Sequence, residues 1–465
     1  MLFGFCCLYF YNLYDFPLYH DGPYLLPATN ISGSDTLNYW FQIFSGPNHG
    51  PQYRPLSFFV FFKMMGSVLQ NKIWQYHLVG SLLLFLCTFF FYKTLEKVKT
   101  NQWLNFFLTL LFLSSPYHSN ISEITFIAKY YLPQLILILG FYICLSPELS
   151  NKKIVLLSLL SLVSIMNHEG SLTFFFVWLA YRYSNNLSFK KHHLFIAVPS
   201  IFYVFLRVYI FGVPGNGFMK INWFFMFESF ETFMNYAWTG NTLENFYLYT
   251  FFLSLLTISV AMIGYRKNKN FLFILLFSII IASPFMLLEN HSTPDRVIWL
   301  SILPCLFIKE LSREFRQNTL FLIITLAVTF FFEYKQIGSF VDIKKQAFDT
   351  QTENNAYVEL INKTIDANQD IPIYIKLLVS NDSFSFMNIK TITGSVSLQR
   401  PKAKLLLNFS YPNIEESYED FEFQILNGSS TGCFSSSIDF CKDIFLQKHK
   451  RLLNRQEIKN ITLNL

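Results

Sequence analysis

Apolar residues in this chain come in long runs rather than at strict strand or amphipathic-helix spacing. Runs of about 15 to 23 residues lie near 1–14, 76–95, 101–115, 126–146, 153–167, 170–184, 194–212, 244–264, 270–288, 296–310 and 318–334. Within a bilayer every backbone N–H and C=O needs a partner from its own segment, and a helix provides it. The pattern therefore predicts an α-helical polytopic membrane protein with about eleven transmembrane helices. The first run has no basic start and no small-residue cleavage site before Asp15 and Phe16, so it reads as a span rather than a secretion signal.

Charge between the runs alternates. Lys93, Lys97 and Lys99, then Lys152 and Lys153, then Arg182, Lys190 and Lys191, then Arg266, Lys267 and Lys269, then Lys309, Arg313 and Arg316 fall in every second connection. Lys and Arg are retained on the cytoplasmic side. The expectation is a multi-pass protein, in the plasma or inner membrane if bacterial, with its N-terminus cytoplasmic and the segment after the last span extracytoplasmic.

Two longer stretches break the pattern. Residues 15–75 contain Pro17, Pro23, Pro27, Pro51 and Pro55 and an apolar stretch from Leu56 to Leu69 that suits the membrane interface. Residues 339–465 are polar, with a helix expected from Tyr357 to Asn368 and strand-like segments at 371–379, 404–408 and 421–426. The domain reading is thus a transmembrane domain over 1–338, with outer loop 15–75, followed by an extracytoplasmic α/β domain over 339–465. Cys433 and Cys441 lie in that exported region and fit either a disulfide or two free thiols, whereas Cys6, Cys7, Cys87, Cys144 and Cys305 fall in apolar runs.

Composition narrows the function classes. Of the 465 residues, 52% are hydrophobic and only 14% charged, against roughly 25% charged in a soluble domain. The net charge of +6 comes from Lys and Arg spread in short clusters between apolar runs, which argues against nucleic acid as a partner. Walker loops, dinucleotide fingerprints, Cys-X-X-Cys pairs and His-Glu-X-X-His helices are absent from the sequence, so nucleotide hydrolysis, hydride transfer and zinc proteolysis lack support.

The remaining chemistry sits at the outer ends of the runs, where charge is costly and marks a functional candidate. Asp21, after His20 and before Gly22-Pro23, is a carboxylate placed to accept a proton, or a solvated turn residue. Arg54 precedes Pro55, which holds it extended, and its planar fork suits phosphate, though lipid snorkelling is equally served. Glu169 follows His168 in a connection almost too short to solvate it. Arg296 opens a late run beside Asp295, which could simply neutralise it; His118, Lys129 and His291 complete the set.

The order of these residues resembles the membrane O-mannosyltransferases and their bacterial relatives in the GT-C glycosyltransferase class. The resemblance rests on His20-Asp21-Gly22, Tyr53-Arg54-Pro55-Leu56 and Tyr76-His77-Leu78-Val79, in the order and spacing of that family. Weaker collinear matches are Ser115-Pro116-Tyr117-His118, with Glu123 and Lys129, then His168-Glu169-Gly170, then Arg296-Val297-Ile298-Trp299-Leu300. The likeness covers about residues 16–310 and leaves out the C-terminal region. Two departures stand out: the family's acidic pair is reduced to Asp21, and His168 replaces the Lys of its Lys-Glu motif.

The resemblance implies inverting transfer of a sugar from a polyprenyl-phosphate donor to a hydroxyl acceptor, a protein or a cell-envelope glycan or lipid, on the outer face. Asp21 and Glu169 would be the catalytic carboxylates, with Asp21 the base. Arg54, Arg296 and His118 would bind the donor phosphate and stabilise the charge that develops on it, with His20, His168 and Lys129 secondary. No cofactor is required; a divalent metal has no supporting pattern. The rival readings are a catalytically inactive GT-C-like scaffold, a lipid or glycan transporter, and a polysaccharide polymerase or ligase.

Overall fold

The structure, a computed structural model, describes residues 72–98, 101–122, 124–211, 268–286, 294–315 and 318–368, the strands 373–378, 405–410, 421–426, 429–433 and 459–464, and scattered positions elsewhere. Its contacts divide into two compact units. One comprises Met1–Tyr14, His77–Ser122 and Phe126–Asp342; the other comprises Asp15–Tyr76, Glu123–Thr125 and Ile343–Leu465.

Helices dominate the first unit. The longer described helices of the chain are α1 (Ile73–Lys97), α2 (Gln102–Leu113), α3 (Leu132–Cys144), α4 (Asn151–Asn167), α5 (Phe174–Ser184), α6 (Val198–Phe211), α7 (Lys269–Met286), α8 (Leu303–Phe315) and α9 (Asn318–Asp366), of which α9 continues past Asp342 into the second unit. Between them lie short 3-10 segments at Pro116–Ser122, Glu169–Thr173, Lys191–Ala197 and Pro294–Ile302, and a π turn at Ile127–Tyr131. The chain is thus a helical protein whose apolar helices fit a membrane.

Helix length supports fewer spans among the described residues than the eleven expected from the apolar runs. Among the described residues, three helical stretches are long and apolar enough to cross a membrane: Ile73–Lys97, Ile127–Cys144 and Thr319–Asp366. Proline explains much of the difference. Pro133, Pro199 and Pro304 each stand second in α3, α6 and α8. A proline has no N–H to give the carbonyl four residues back and its ring crowds that carbonyl, which favours an irregular turn just behind it. The preceding residues of all three runs adopt tighter or wider helical turns instead. Apolar runs read as single helices thereby become an irregular half followed by a short α half. The runs near 1–14 and 244–264 lie largely outside the described residues.

Packing within this unit is close. α3 lies against α4 and α5, α5 against α7, α4 against α6, and α8 against α2 and α7. Trp178 of α5 is wholly buried, gives its indole N–H to Leu137 O at 3.0 Å, and covers Gly140, where a side chain would collide with the ring.

One end of the bundle gathers basic residues. Arg182, fully buried, bonds the carbonyls of Cys144, Ser146, Pro147 and Ser188, which joins the connections after α3 and α5. At the same end Lys97 Nζ donates to Tyr142 O, Lys269 Nζ to Asn186 Oδ1, and buried Lys309 and Glu310 pair at 3.2 Å, with Asn270 Nδ2 donating to Glu310. Arg182 and Lys309 therefore differ from the solvated loop charges the sequence suggests: both are enclosed and fix helix ends.

In the second unit, a five-stranded sheet has β1 (Ile373–Leu378), β2 (Leu405–Ser410), β3 (Phe421–Leu426), β4 (Ser429–Cys433) and β5 (Lys459–Asn464) in the order β4-β3-β2-β1-β5. β1 pairs in parallel with β2 and β5, while β2-β3 and β3-β4 are antiparallel. Ile373, Ile375 and Leu377 alternate along β1 and are buried, the period-2 face of a strand. The helix expected at 357–368 is the end of α9 rather than a separate element, because the helix continues through Gly338 and meets no proline that would stop it. Asp366 near that end holds Arg400 in a two-pronged pair, and Asn362 bonds Gln399.

Candidate functional site

The four irregular segments 116–122, 127–131, 169–173 and 294–302 lie at the end of the bundle away from the buried Arg182, and they pack on one another. They carry His118, Lys129, the His168-Glu169 pair and Arg296. Residues picked separately along nearly two hundred positions thus share one region.

His118 is set by the stop of α2. Asn101 caps the start of that helix, and after Leu113 the chain turns through Ser114, Ser115 and Pro116. Ser114 Oγ lies 2.8 Å from Glu333 Oε1, and Gln336 Nε2 donates to Ser115 O at 3.2 Å, so α9 clasps the turn. The wholly buried imidazole sits edge-on to Phe112 at 5.0 Å and near Tyr131 at 5.7 Å. Tyr131 donates its hydroxyl proton to His118 O at 3.3 Å, and His118 Nδ1 lies 3.4 Å from the Tyr131 hydroxyl oxygen. Nε2 is buried with no hydrogen-bond partner among the described residues. Burial pushes the His118 pKa down to about 3. A neutral imidazole offers hydrogen bonding rather than cationic charge.

His168 and Glu169 follow the abrupt end of α4, where His168 turns extended at φ −153°. Its Nδ1 accepts the Gly170 N–H at 3.1 Å and its carbonyl accepts the Ser171 hydroxyl at 2.7 Å, which folds 169–173 into a tight turn. The buried ring packs on Tyr130 at 4.9 Å and Trp299 at 5.6 Å. His168 thereby orients the turn that Glu169 opens; the Glu169 side chain lies outside the described set.

Trp299 is the hub. Its indole N–H reaches Tyr130 O at 3.3 Å, and its ring meets Phe174, His168 and Tyr130. Through it the segment bearing Arg296 is locked to the π turn bearing Lys129 and to the turn bearing Glu169. Gln134 adds a second tie, donating to Ser301 Oγ at 2.8 Å. Lys129 is 9% exposed in the π turn, so its stem is enclosed. Such a turn arises here because Pro133 denies Lys129 O its ordinary helical donor, and it re-aims the side chains it carries. The Arg296 backbone lies in Pro294–Ile302; its side chain lies outside the described set.

His20, Asp21, Arg54 and Cys441 also lie outside the described residues, and Cys433 is placed by its backbone alone, in β4. Among the described residues no three His, Cys, Asp or Glu side chains come together in a metal-binding group.

Sequence reasoning passed over Glu333, Gln336 and Tyr131. Glu333 had a legible signal: it interrupts Phe330-Phe331-Phe332-Glu333-Tyr334 at the end of the last apolar run, where a carboxylate needs a partner. Tyr131 carried none, because one tyrosine among 26 is not distinguished by pattern. Comparison with protein-family models, with curated proteins and with solved structures gives no match to this chain.

Proposed function

We propose that the protein is an integral membrane glycosyltransferase that moves a sugar from a polyprenyl-phosphate donor to a hydroxyl acceptor, with inversion, at the end of the bundle formed by segments 116–122, 127–131, 169–173 and 294–302. The observation that supports this reading best is the convergence of the Lys129, Glu169 and Arg296 positions around Trp299, away from the buried Arg182. In this reading the shorter helices, extended by their irregular halves, complete about eleven spans. The basic end is cytoplasmic, in keeping with lysine and arginine retention there. The N-terminus is cytoplasmic too, and residues 339–465 form an extracytoplasmic α/β domain.

Chemically, Asp21 takes the acceptor proton as the hydroxyl attacks the anomeric carbon. The bond to the lipid phosphate breaks and leaves a dianionic headgroup, which Arg54 and Arg296 receive through charge-assisted hydrogen bonds. Lys129 adds a third cation at the same boundary. Glu169 orients an arginine or a sugar hydroxyl, and His168 positions its turn. His118, neutral, offers hydrogen bonding rather than charge.

The test uses the full chain in lipid nanodiscs with undecaprenyl phosphate as the headgroup probe, alongside comparison of cell-surface sugars with and without the protein. Arg54→Ala and Arg296→Ala are expected to weaken binding of the probe, and Asp21→Asn to abolish transfer while leaving probe binding intact. Unchanged surface sugars on deletion, together with equal probe binding by wild type and both arginine variants, would reject the proposal.

A further inference from the structure

The opposite end of the bundle carries a surface that the proposed reaction does not use. Between α5 and α6 the chain runs through Ser188-Phe189-Lys190-Lys191 and into the 3-10 segment Lys191–Ala197. Its backbone is held from inside at two points. Arg182 Nε donates to Ser188 O at 2.7 Å, and buried His193 accepts the Lys190 N–H through Nδ1 at 3.2 Å while its ring meets Phe189 edge-on at 5.6 Å. With those anchors inward, Phe189, Leu194 and Phe195 are left 47%, 54% and 63% exposed, and Lys190 and Lys191 are exposed beside them.

Neither lysine has a carboxylate within ion-pair distance among the described residues, whereas Lys93, Lys309 and Lys363 each have one. The first turn of α4 adds Lys152 and Lys153, and Ser158 of the same helix lies 3.3 Å from Phe195 O. Pro199 explains that contact, since it removes the helical donor for the Phe195 carbonyl. Past the lysines the surface turns wholly apolar: Val155, Leu156 and Leu159 on α4 and Val198, Ile201, Phe202 and Phe205 on α6 are all exposed. Positive charge at one level, aromatic rings next, then a continuous apolar face is the profile of a lipid along its length: headgroup, interface, chains.

We infer that segment 188–195, with the first turn of α4, binds the headgroup of an anionic phospholipid whose chains run along the exposed faces of α4 and α6. The charge selects anionic over zwitterionic lipid, because each lysine near such a surface contributes attraction that a neutral side chain does not. Fixing the backbone through Arg182 and His193 keeps the ordering cost of the site low. The inference needs the chain to sit in a bilayer but does not depend on sugar transfer.

The experiment is native mass spectrometry of the full chain released from micelles containing phosphatidylglycerol and phosphatidylcholine of matched acyl chains. Wild type is expected to retain phosphatidylglycerol preferentially. Lys190→Gln with Lys191→Gln is expected to lower that retention by about fivefold per lysine, with phosphatidylcholine unchanged. Phe195→Ala should lower retention of both lipids. Lys344→Gln with Lys345→Gln on α9 serves as the charge-matched control. Equal retention of the two lipids by wild type, wild-type retention by the 190/191 variant, or an equal loss in the 344/345 control would each overturn the inference.

Discussion

Replacing Arg182 tests the structure at a point where the cost can be worked out bond by bond. The guanidinium has five N–H donors and meets five acceptors: Nε to Ser188 O at 2.7 Å, Nη1 to Cys144 O at 2.8 Å and Ser146 O at 2.6 Å, and Nη2 to Pro147 O at 2.7 Å and Ser188 Oγ at 3.4 Å. Its charge has no carboxylate among these partners. It is balanced instead by carbonyls at the C-terminal end of α3, where the helix dipole is negative. Arg182→Met keeps much of the stem volume and removes every donor. Cys144 and Ser146 are buried, so their carbonyls are left without partners at about 1–3 kcal/mol each. Pro147 and Ser188 are exposed and rehydrate at little cost. Losing the burial of an ion offsets part of the total, leaving about 3 kcal/mol of destabilisation. Arg182→Lys, with three donors, should lose about half as much.

Thermal unfolding of the purified chain followed by tryptophan fluorescence reads the global effect. Maleimide labelling of Cys144, resolved by peptide mass, reads the local one, with buried Cys87 and Cys305 as internal references. The expected result is a lowered midpoint and faster labelling at Cys144 but not at the references. A methionine variant as stable as wild type, with Cys144 still protected, would show that the five bonds contribute nothing net.

Alanine at three glycines should rank by what the new Cβ meets. Gly140→Ala strikes the buried Trp178 ring and should cost about 1–3 kcal/mol; Gly80→Ala meets the Ile127 side chain at 2.9 Å and Ile121 at 3.3 Å, which can give more readily than a ring, and should cost less; Gly338→Ala meets nothing within 4 Å and should stabilise α9 by about 0.5–1 kcal/mol. Thermal midpoints in any other order would count against the packing of α3 on α5. For His118, burial lowers the folded pKa to about 3 from 6.5, so the unfolded chain binds the proton first as pH falls. Its contribution is present in full above pH 6.5 and is lost progressively between 6.5 and about 3, and His118→Phe should flatten that acid limb of stability; an unchanged limb would refute the assignment.

Much of the membrane reading was legible because it rests on local composition. Apolar runs and basic clusters are visible one segment at a time, and the basic residues fixed at one end of the bundle are drawn from clusters the sequence placed in alternate connections. What the sequence did not yield directly was the division of each run. Pro133, Pro199 and Pro304 stand in plain view, yet a run with one proline near its middle has the hydropathy of a single helix. Only the missing N–H, followed to the carbonyl it leaves open, predicts an irregular half and an α half. That division bears on the proposed function, since the irregular halves before Pro133 and Pro304 carry Lys129 and Arg296.

Arg182 and His168 have packing roles that residue type and position do not show. By type and position each reads as a loop charge or a catalytic substitute, and only long-range partners, Cys144 and Ser146 for one and Trp299 for the other, reveal a structural duty. Glu333 is the converse case. Its isolation among aromatics was a usable signal, but its partner Ser114 lies 219 positions away, and no local rule connects them. The hydrogen bonds from α9 to Ser114 and Ser115 mean that the last apolar helix, and not only the short segments around Trp299, sets where His118 stands. A substitution at Glu333 or Gln336 should therefore act on the turn that holds that imidazole.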